Sequence, residues 1–246
     1  MSLINIEYLE INCKNITNIG LKFLEKAHTL HLFHCNHLTN DCLQYLTNVK
    51  NLAIDSKHIT NDGLKYLKNV EILSLSFNDY IDDNGLYHLE NIKSLTLHNN
   101  KITDVGLIYL ARSNLHTLIM NYNNNVSVYG LHHLKNIKVL SMNFNNYIID
   151  ESIEDLIHLE KLSLRNNKNI TNYGLSKLSK LKELELYGEQ ITIAGLKHMK
   201  NLLKLMLPDN ITITREGLKK YLNTVDFVCT KNLYYLRRYN GSYNEL

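Results

Sequence analysis

The sequence predicts an α/β solenoid of about ten repeats, each 21–23 residues long. Three observations predict this fold. An apolar residue ends an L-x-L-like triplet in every repeat, from Ile11 to Leu207, at intervals that stay within 21–23 residues. The apolar residues of the triplet alternate with polar ones, as in a strand with one buried face. A Thr, Ser or Asp followed three positions later by glycine then marks a helix start in most repeats.

Each repeat therefore contributes one strand and one short helix. The strands are expected to pair in parallel as a β-ribbon on the concave face of a right-handed solenoid, with the helices on the convex face. A residue such as Thr60 or Thr103 is a favourable N-cap. The glycine after it, as in Gly63, is a poor helix former, so its recurrence indicates close packing. The helices are predicted to have two turns and to depend on stacking for stability.

The complete motif appears in repeats 5 and 8. Repeat 5 reads Ile92, Leu95, Leu97, Asn100, Ile102, and repeat 8 reads Leu159, Leu162, Leu164, Asn167, Ile170. Over about residues 4–222 the chain resembles the leucine-rich-repeat superfamily. The second half, I-T-[ND]-x-G-L, resembles the cysteine-containing and GALA-type repeats. Members of those branches are commonly the recognition part of F-box proteins, or effectors of intracellular bacteria and giant viruses.

The resemblance also implies a structural ladder. In this family the Asn or Cys after each strand bonds the backbone of neighbouring turns. The predicted rungs are Cys35, Asn78, Asn100, Asn123, Asn145, Asn167 and Asn210. Lys14, Lys57 and Glu189 occupy this place in repeats 1, 3 and 9, so we expect the ladder to break there.

The outward strand positions predict a binding surface for a protein partner. The predicted protein-binding residues are His31, Phe33, Ser74, Ser76, Phe77, Thr96, His98, Ile119, Asn121, Tyr122, Ser141, Asn143, Phe144, Arg165 and Tyr187. The middle of this surface is rich in hydroxyl and amide groups and carries no formal charge, which suits a protein or peptide. Two interpretations stay open for the aromatic residues at its edge, Phe77, Tyr122 and Phe144: they anchor a partner, or they tuck under neighbouring turns.

Charge and hydropathy disfavour other partners. Nucleic acid requires a track of Lys and Arg, whereas the basic residues of this chain, whose net charge is +3, fall mainly on the predicted helices among acids. We therefore expect no nucleic-acid partner. A membrane partner is not expected either, because no apolar run approaches the roughly 18 residues needed to span a bilayer.

A cytoplasmic location is predicted, either in the producing cell or in a host cell. The first residues lack a basic segment followed by an apolar core and a cleavage site. The four cysteines lack the paired spacing of secreted capping motifs, so reduced thiols are expected.

Catalysis is not expected, and neither is a cofactor or a bound metal. The chain lacks the nucleophile-elbow, phosphate-loop and dinucleotide motifs. His31, His34, His37 and Cys35 resemble metal ligands, but the strand and its turn would point them apart. Cys42 is explained by its place in the repeat. The alternatives to simple protein binding are a ubiquitin-ligase adaptor, a host-directed effector, and a catalytic effector that uses a thiol or a metal.

The two ends are predicted to differ from the repeats. Residues 1–222 form the solenoid and residues 223–246 a C-terminal cap and tail, in which Val225–Cys229 is expected to add an eleventh strand. The rest of the tail either closes the last repeat or serves as a docking peptide. Only Met1–Asn5 precede the first strand, too few for an F-box or a capping helix. Either repeat 1 caps itself poorly or another subunit covers it, so self-association through this N-terminal edge is a hypothesis.

Overall fold

The chain folds into two compact units, unit 1 (residues 1–125) and unit 2 (residues 126–246). The computed structural model describes residues 7–75, 78–98, 101–187, 190–206, 217, 220–222, 224–225, 227–229, 235–239 and 242–245. Within each unit, successive repeats supply a strand to one layer and a short helix to the other. The predicted α/β repeat architecture is confirmed. The predicted boundary between residues 222 and 223 stays a prediction.

Parallel strands form one layer of each unit. Those of unit 1 are β1 (Tyr8–Asn12), β2 (Thr29–Phe33), β3 (Asn51–Ile54), β4 (Ile72–Leu75), β5 (Ser94–Leu97) and β6 (Thr117–Ile119). Those of unit 2 are β7 (Val139–Ser141), β8 (Lys161–Leu164), β9 (Glu183–Leu186) and β10 (Lys204–Met206). The register is set by the leucines, since Leu73 pairs with Leu95 and Leu95 with Leu118. A slip of one residue would expose these buried side chains.

The C-terminal residues extend the layer of unit 2. Strand β11 (Phe227–Cys229) pairs in parallel with β10, so the predicted eleventh strand is confirmed. Strands β12 (Tyr235–Tyr239) and β13 (Ser242–Glu245) follow in antiparallel order.

The helices of the other layer are shorter than the sequence predicts. Unit 1 has α1 (Asn40–Leu43), α2 (Asn61–Leu64), α3 (Asp83–Leu86) and α4 (Asp104–Leu110), together with 3-10 helices at Ile19–Leu24 and Lys65–Leu67. Unit 2 has α5 (Val128–Leu131), α6 (Asp150–Ile153), α7 (Asn172–Leu175) and α8 (Ile193–Leu196). Most have one α-helical turn, followed by a tighter turn with hydrogen bonds between residues three apart. In the repeat of α1, for example, the Leu46 amide donates to the Leu43 carbonyl at 2.9 Å. The tighter turn places two leucines three residues apart on the same buried face.

A polar contact between repeats explains the recurrent glycine. The Asn40 side chain donates to Thr60 Oγ1 at 2.8 Å and accepts from the Thr60 amide at 2.9 Å. The Asp150 carboxylate has the equivalent place and accepts both bonds, from the Thr171 amide and from the Thr171 hydroxyl. These side chains lie against the next helix, where a Cβ atom on Gly63 or Gly174 would overlap them. The prediction that glycine reflects close packing is therefore confirmed.

The Asn ladder is more continuous in the described residues than the sequence suggested. Asn78 Nδ2 donates to the carbonyls of Ser56 and Ile59 at 3.1 and 2.6 Å, and Asn167 Nδ2 bonds two carbonyls of the preceding turn in the same way. Asn123 and Asn145 are also buried and donate to the preceding turn.

The predicted break at Lys57 is wrong, whereas the one at Lys14 stays a prediction. The residue one place earlier, Cys13 in repeat 1 and Ser56 in repeat 3, is buried at the turn instead. Ser56 Oγ donates to the Leu38 carbonyl at 2.7 Å, and the Cys13 thiol contacts the Ile11 carbonyl. In repeat 3 the rung is kept because the turn is one residue shorter, whereas the contact of the Cys13 thiol stays within repeat 1. Asn100, Glu189 and Asn210 lie outside the described residues.

Candidate protein-binding surface

One set of side chains in unit 1 points away from the leucine core and forms the strand face of this unit. Its central row runs across six strands and comprises Glu10, His31, Ala53, Ser74, Thr96 and Ile119, each in register with the next. All six are partly or fully exposed, whereas the leucines beside them in β2–β6 are buried. Neighbouring strands lie about 4.8 Å apart, so these side chains form a contiguous surface.

The strand face carries little charge between β3 and β6. Ser74, Ser94 and Thr96 supply hydroxyl groups, and Asp55 carries the only formal charge among the described outward positions of these strands and the residues that follow them. Burial lowers the pKa of His98 below its usual value, so this side chain is neutral at pH 7. The surface therefore offers hydrogen-bonding groups whose burial by a partner costs less free energy than the burial of charged groups would.

Aromatic side chains border this neutral region on the side of β1. Tyr8 and His31 pack edge to face with ring centroids 5.3 Å apart, and Phe33 lies 6.4 Å beyond His31. The Tyr8 hydroxyl donates to a Glu10 carboxylate oxygen at 2.8 Å, which raises the Tyr8 pKa. Tyr8 and Phe33 are 55% and 41% exposed. Rings that are exposed and already oriented make good interface anchors.

The turn that follows several strands holds a residue in the left-handed region. His34, Tyr122, Phe144 and Asn166 have φ between 56° and 62°. Asparagine adopts this conformation readily, but a bulky ring there is strained, and such strain is concentrated at functional sites. Tyr122 is exposed and Phe144 partly buried. Ser76 and Phe77, predicted for the same surface, lie outside the described residues.

The strand face of unit 2 has a different chemistry. Arg165 forms an ion pair with Glu185, and Lys161 Nζ lies 2.8 Å from Glu183 Oε2. The nearly buried Ser163 hydroxyl lies 2.7 Å from Glu185 Oε2 and 2.9 Å from Asn143 Oδ1. The Ser163 contact and the ion pair together hold Glu185 and Arg165 in place, so this part of the face is polar and preorganised.

The remaining predicted site residues fall on the same two strand faces. Asn121 follows β6 in unit 1, and Ser141 lies on β7 of unit 2, where Asn143 Nδ2 approaches its hydroxyl at 3.2 Å. The Tyr187 ring lies 6.0 Å from the Arg165 guanidinium.

Three further residues shape these faces and are not among the predicted protein-binding residues, namely Tyr8, Ser163 and Glu185, although the strand alternation predicts that they point outward. The signal that identifies Glu185 is an opposite charge on the neighbouring strand in a diagonal position, because Glu185 is the cross-strand partner of Ser163 and Arg165 lies two residues after Ser163.

A catalytic effector would use metal-binding groups or a reactive thiol. No cluster of three His, Cys, Asp or Glu side chains there could hold a metal ion. Cys42 is fully buried, and this burial raises its pKa to about 12, which keeps the thiol protonated and unreactive. Cys13 and Cys35 are also buried and free. Among the helices that are described, none has the length and hydropathy needed to cross a bilayer.

Sequence comparison matches parts of the chain to one family model. The model described as "Leucine Rich repeat" matches residues 66–89, 88–111 and 155–179. No curated protein matches the sequence significantly.

Comparison with solved structures identifies several similar chains. A chain of the yeast Rad7–Elc1 complex aligns with a TM-score of 0.62 and 19% identity, over 88% of this chain and 73% of that one. Internalin C2 from Listeria monocytogenes aligns with a TM-score of 0.56 and 25% identity, over 78% and 84%. A chain of the TLR13–ssRNA13 complex aligns with a TM-score of 0.62 and 17% identity, over 92% of this chain but 39% of that one. These similarities concern the fold.

Proposed function

We propose that this chain, a leucine-rich-repeat protein, binds a protein partner through the strand faces of its repeats and performs no catalysis itself. Proteins of this family are generally interaction modules, because stacked repeats offer an extended open surface. The choice of the strand face, and of a protein as the partner, is our own inference. The proposed contacts include His31, Phe33, Thr96 and Ile119 in unit 1, and Arg165 in unit 2.

The neutral surface between β3 and β6 is the observation that carries the proposal. Serine, threonine and aliphatic side chains there are partly exposed, while every described leucine between them is buried. The exposed rings of Phe33 and Tyr122 lie on strands or turns of the same unit. Such a combination, aromatic anchors beside a region depleted in charge, is typical of the core of a protein interface.

A nucleic-acid partner is the first alternative. The sequence-based exclusion of nucleic acid is not supported, because a chain with this fold occurs in a complex with single-stranded RNA. Charge nevertheless favours a protein. The described central row of unit 1 holds no Lys or Arg, and a phosphate backbone needs several such residues along its path.

Three narrower roles differ in how well they agree with the proposal. A ubiquitin-ligase adaptor or a host-directed effector would use the same strand faces for its target. A thiol-dependent effector is disfavoured by the burial of Cys42 and by its raised pKa. We also propose a cytoplasmic location, supported by the free thiols of Cys13, Cys35 and Cys42.

Affinity capture from native cells tests the proposal. The bait is the full chain, compared with a variant that carries Ser74→Asp and Thr96→Asp at the centre of the strand face of unit 1. The matched control carries Asn84→Asp and Asn114→Asp, two new charges at exposed positions outside the strands. Circular dichroism establishes that all three proteins are folded.

The proposal predicts that specific protein partners bind the wild type and the control but are lost from the strand-face variant. Burying an unpaired carboxylate at an interface costs several kcal/mol, so the loss should be nearly complete. Equal capture by all three baits would show that the partner does not use this face.

A further inference from the structure

A second exposed surface lies on the helical layer of unit 1. We call it the α3–α4 patch, and it consists of Tyr87, Val105, Ile108, Tyr109 and Arg112. Tyr87 is 52% exposed, Val105 48% and Ile108 40%. The patch lies on the opposite layer from the strand face, so the proposed function above does not use it.

Arg112 is held by two aromatic rings of this patch. Its guanidinium carbon lies 5.9 Å from the centre of the Tyr87 ring and 5.4 Å from that of Tyr109. The two rings pack edge to face, 5.5 Å apart at 84°, and His88 packs edge to face on Tyr87. Stacking of this kind restricts the guanidinium while leaving its N–H groups available to a carboxylate.

The repeat architecture does not require this patch. At the position of Tyr87, repeats 2 and 3 have Gln44 and Lys65, which are polar and exposed, whereas repeat 5 has Ile108 of the patch itself. Arg112 follows α4, which at seven residues is the longest α-helix described. This helix lies between Leu97 and Met120, and their separation of 23 residues is the longest between equivalent strand positions. The extra residue thus accompanies the longer helix, and Arg112 is the only arginine at this place among the repeats.

We propose that the α3–α4 patch docks a second protein partner, through a segment with an Asp or Glu beside an aliphatic or aromatic residue. The carboxylate would pair with the Arg112 guanidinium, which forms no ion pair within the described residues. The apolar residue would cover Val105 and Ile108. Arginine and tyrosine are the residue types most enriched among interface hot spots.

The charges around the patch favour a single carboxylate over a polyanion. Between residues 83 and 92 and between residues 104 and 115, Arg112 is the only Lys or Arg, and Asp83, Glu90 and Asp104 lie in the same segments. One guanidinium can bind one carboxylate in a bidentate manner. A nucleic acid would bring several phosphates toward these acids with only one cation to receive them.

Selection of peptides on the full chain tests this proposal. A phage-displayed library of random peptides is panned against the immobilised protein, and enriched sequences are synthesised and titrated. We expect enriched peptides with Asp or Glu next to Leu, Ile or Phe. Arg112→Gln should weaken their binding about tenfold or more, as loss of a hot spot does. Arg112→Lys should also weaken it, because the ammonium lacks the planar fork.

Two controls separate this surface from others. Lys68→Gln removes an exposed cation from the same layer of unit 1, and Thr96→Asp alters the strand face; neither should change peptide affinity. The proposal is overturned if no acidic peptide is enriched, or if Arg112→Gln and Lys68→Gln bind equally. It is also overturned if the patch binds an oligouridine probe instead, or mediates a dimer that Arg112→Gln dissociates in sedimentation.

Discussion

At the residue scale, the recurrent glycine shows how closely consecutive repeats approach each other. A Cβ atom on Gly174 would lie 2.9 Å from the backbone Cα of Asp150, and it would also overlap the Asp150 carboxylate. Gly20 has the same place in repeat 1 but a looser environment, since its nearest neighbour would be Ile16 Cγ2 at 3.2 Å. The same residue type therefore has different importance in the two repeats.

We predict that Gly174→Ala lowers the free energy of unfolding by about 1–3 kcal/mol, the usual cost of overpacking. Gly20→Ala is the matched control and should be neutral or slightly stabilising, because alanine is the better helix former. Urea denaturation of both variants measures the difference. Equal effects of the two substitutions would contradict the packing explanation.

The buried asparagines give a second prediction at this scale. Asn78 and Asn91 both donate to a carbonyl of the preceding repeat, at 3.1 and 2.9 Å, but Asn78 is 1% exposed and Asn91 is solvent-exposed. Asn78→Ala should cost about 2–3 kcal/mol, because it leaves buried backbone groups without partners. Asn91→Ala should cost less than about 1 kcal/mol, because water replaces the lost bond.

Thermal and urea unfolding of the two asparagine variants provide the comparison. If Asn91→Ala is as damaging as Asn78→Ala, then burial does not determine the strength of the ladder.

At the element scale, charged side chains join neighbouring repeats at the turns before the strands. Glu71 lies 2.6 Å from Lys93 Nζ and 3.4 Å from Lys50 Nζ. Its pKa is lowered mainly by the hydrogen bond from Lys93, with a smaller effect from Lys50. A carboxylate whose pKa is lower in the folded state stabilises the protein above its unfolded pKa, and this contribution disappears as pH falls through the folded pKa.

Glu71→Gln should therefore lower the midpoint of thermal unfolding slightly at pH 7 in low salt, and have no effect at a pH well below 4.5, the ordinary value for this group. Added salt should reduce the effect at pH 7, because the pair is near the surface. Glu90→Gln serves as the control, since Glu90 has no ion pair in the described part of the chain. If Glu71→Gln still lowers the unfolding midpoint well below pH 4.5, then the ion pairs of Glu71 are not the cause of its effect.

At the scale of the whole molecule, the sequence predicts the repeats well because their period and alternation are imposed by burial. The register of Leu73, Leu95 and Leu118 follows directly from that pattern. The turns are harder to predict. A single missing residue moves the rung from Lys57 to Ser56, and the shorter spacing from Ile54 to Ile59 is the signal for it in the sequence.

Side-chain geometry explains why the binding surfaces were only partly predictable. The sequence places Thr96 and His31 on the strand face, because successive side chains of a strand point to opposite sides whatever the neighbouring repeats are. The Arg165–Glu185 pair and the stacking of Arg112 on Tyr87 depend on side chains from different repeats. Their spacing is set by turn lengths that vary from repeat to repeat, so the sequence alone does not specify these contacts.

Hydroxyl-radical footprinting of the chain with its captured protein partner tests the central claim most directly. The account predicts that binding protects Phe33 and Ile72, which are exposed on the strands of unit 1. Tyr80 and Tyr129 are 61% and 77% exposed and lie on no strand, so they should be oxidised at the same rate with or without partner. Protection of Tyr80 and Tyr129 with Phe33 and Ile72 unchanged would contradict recognition through the strand face.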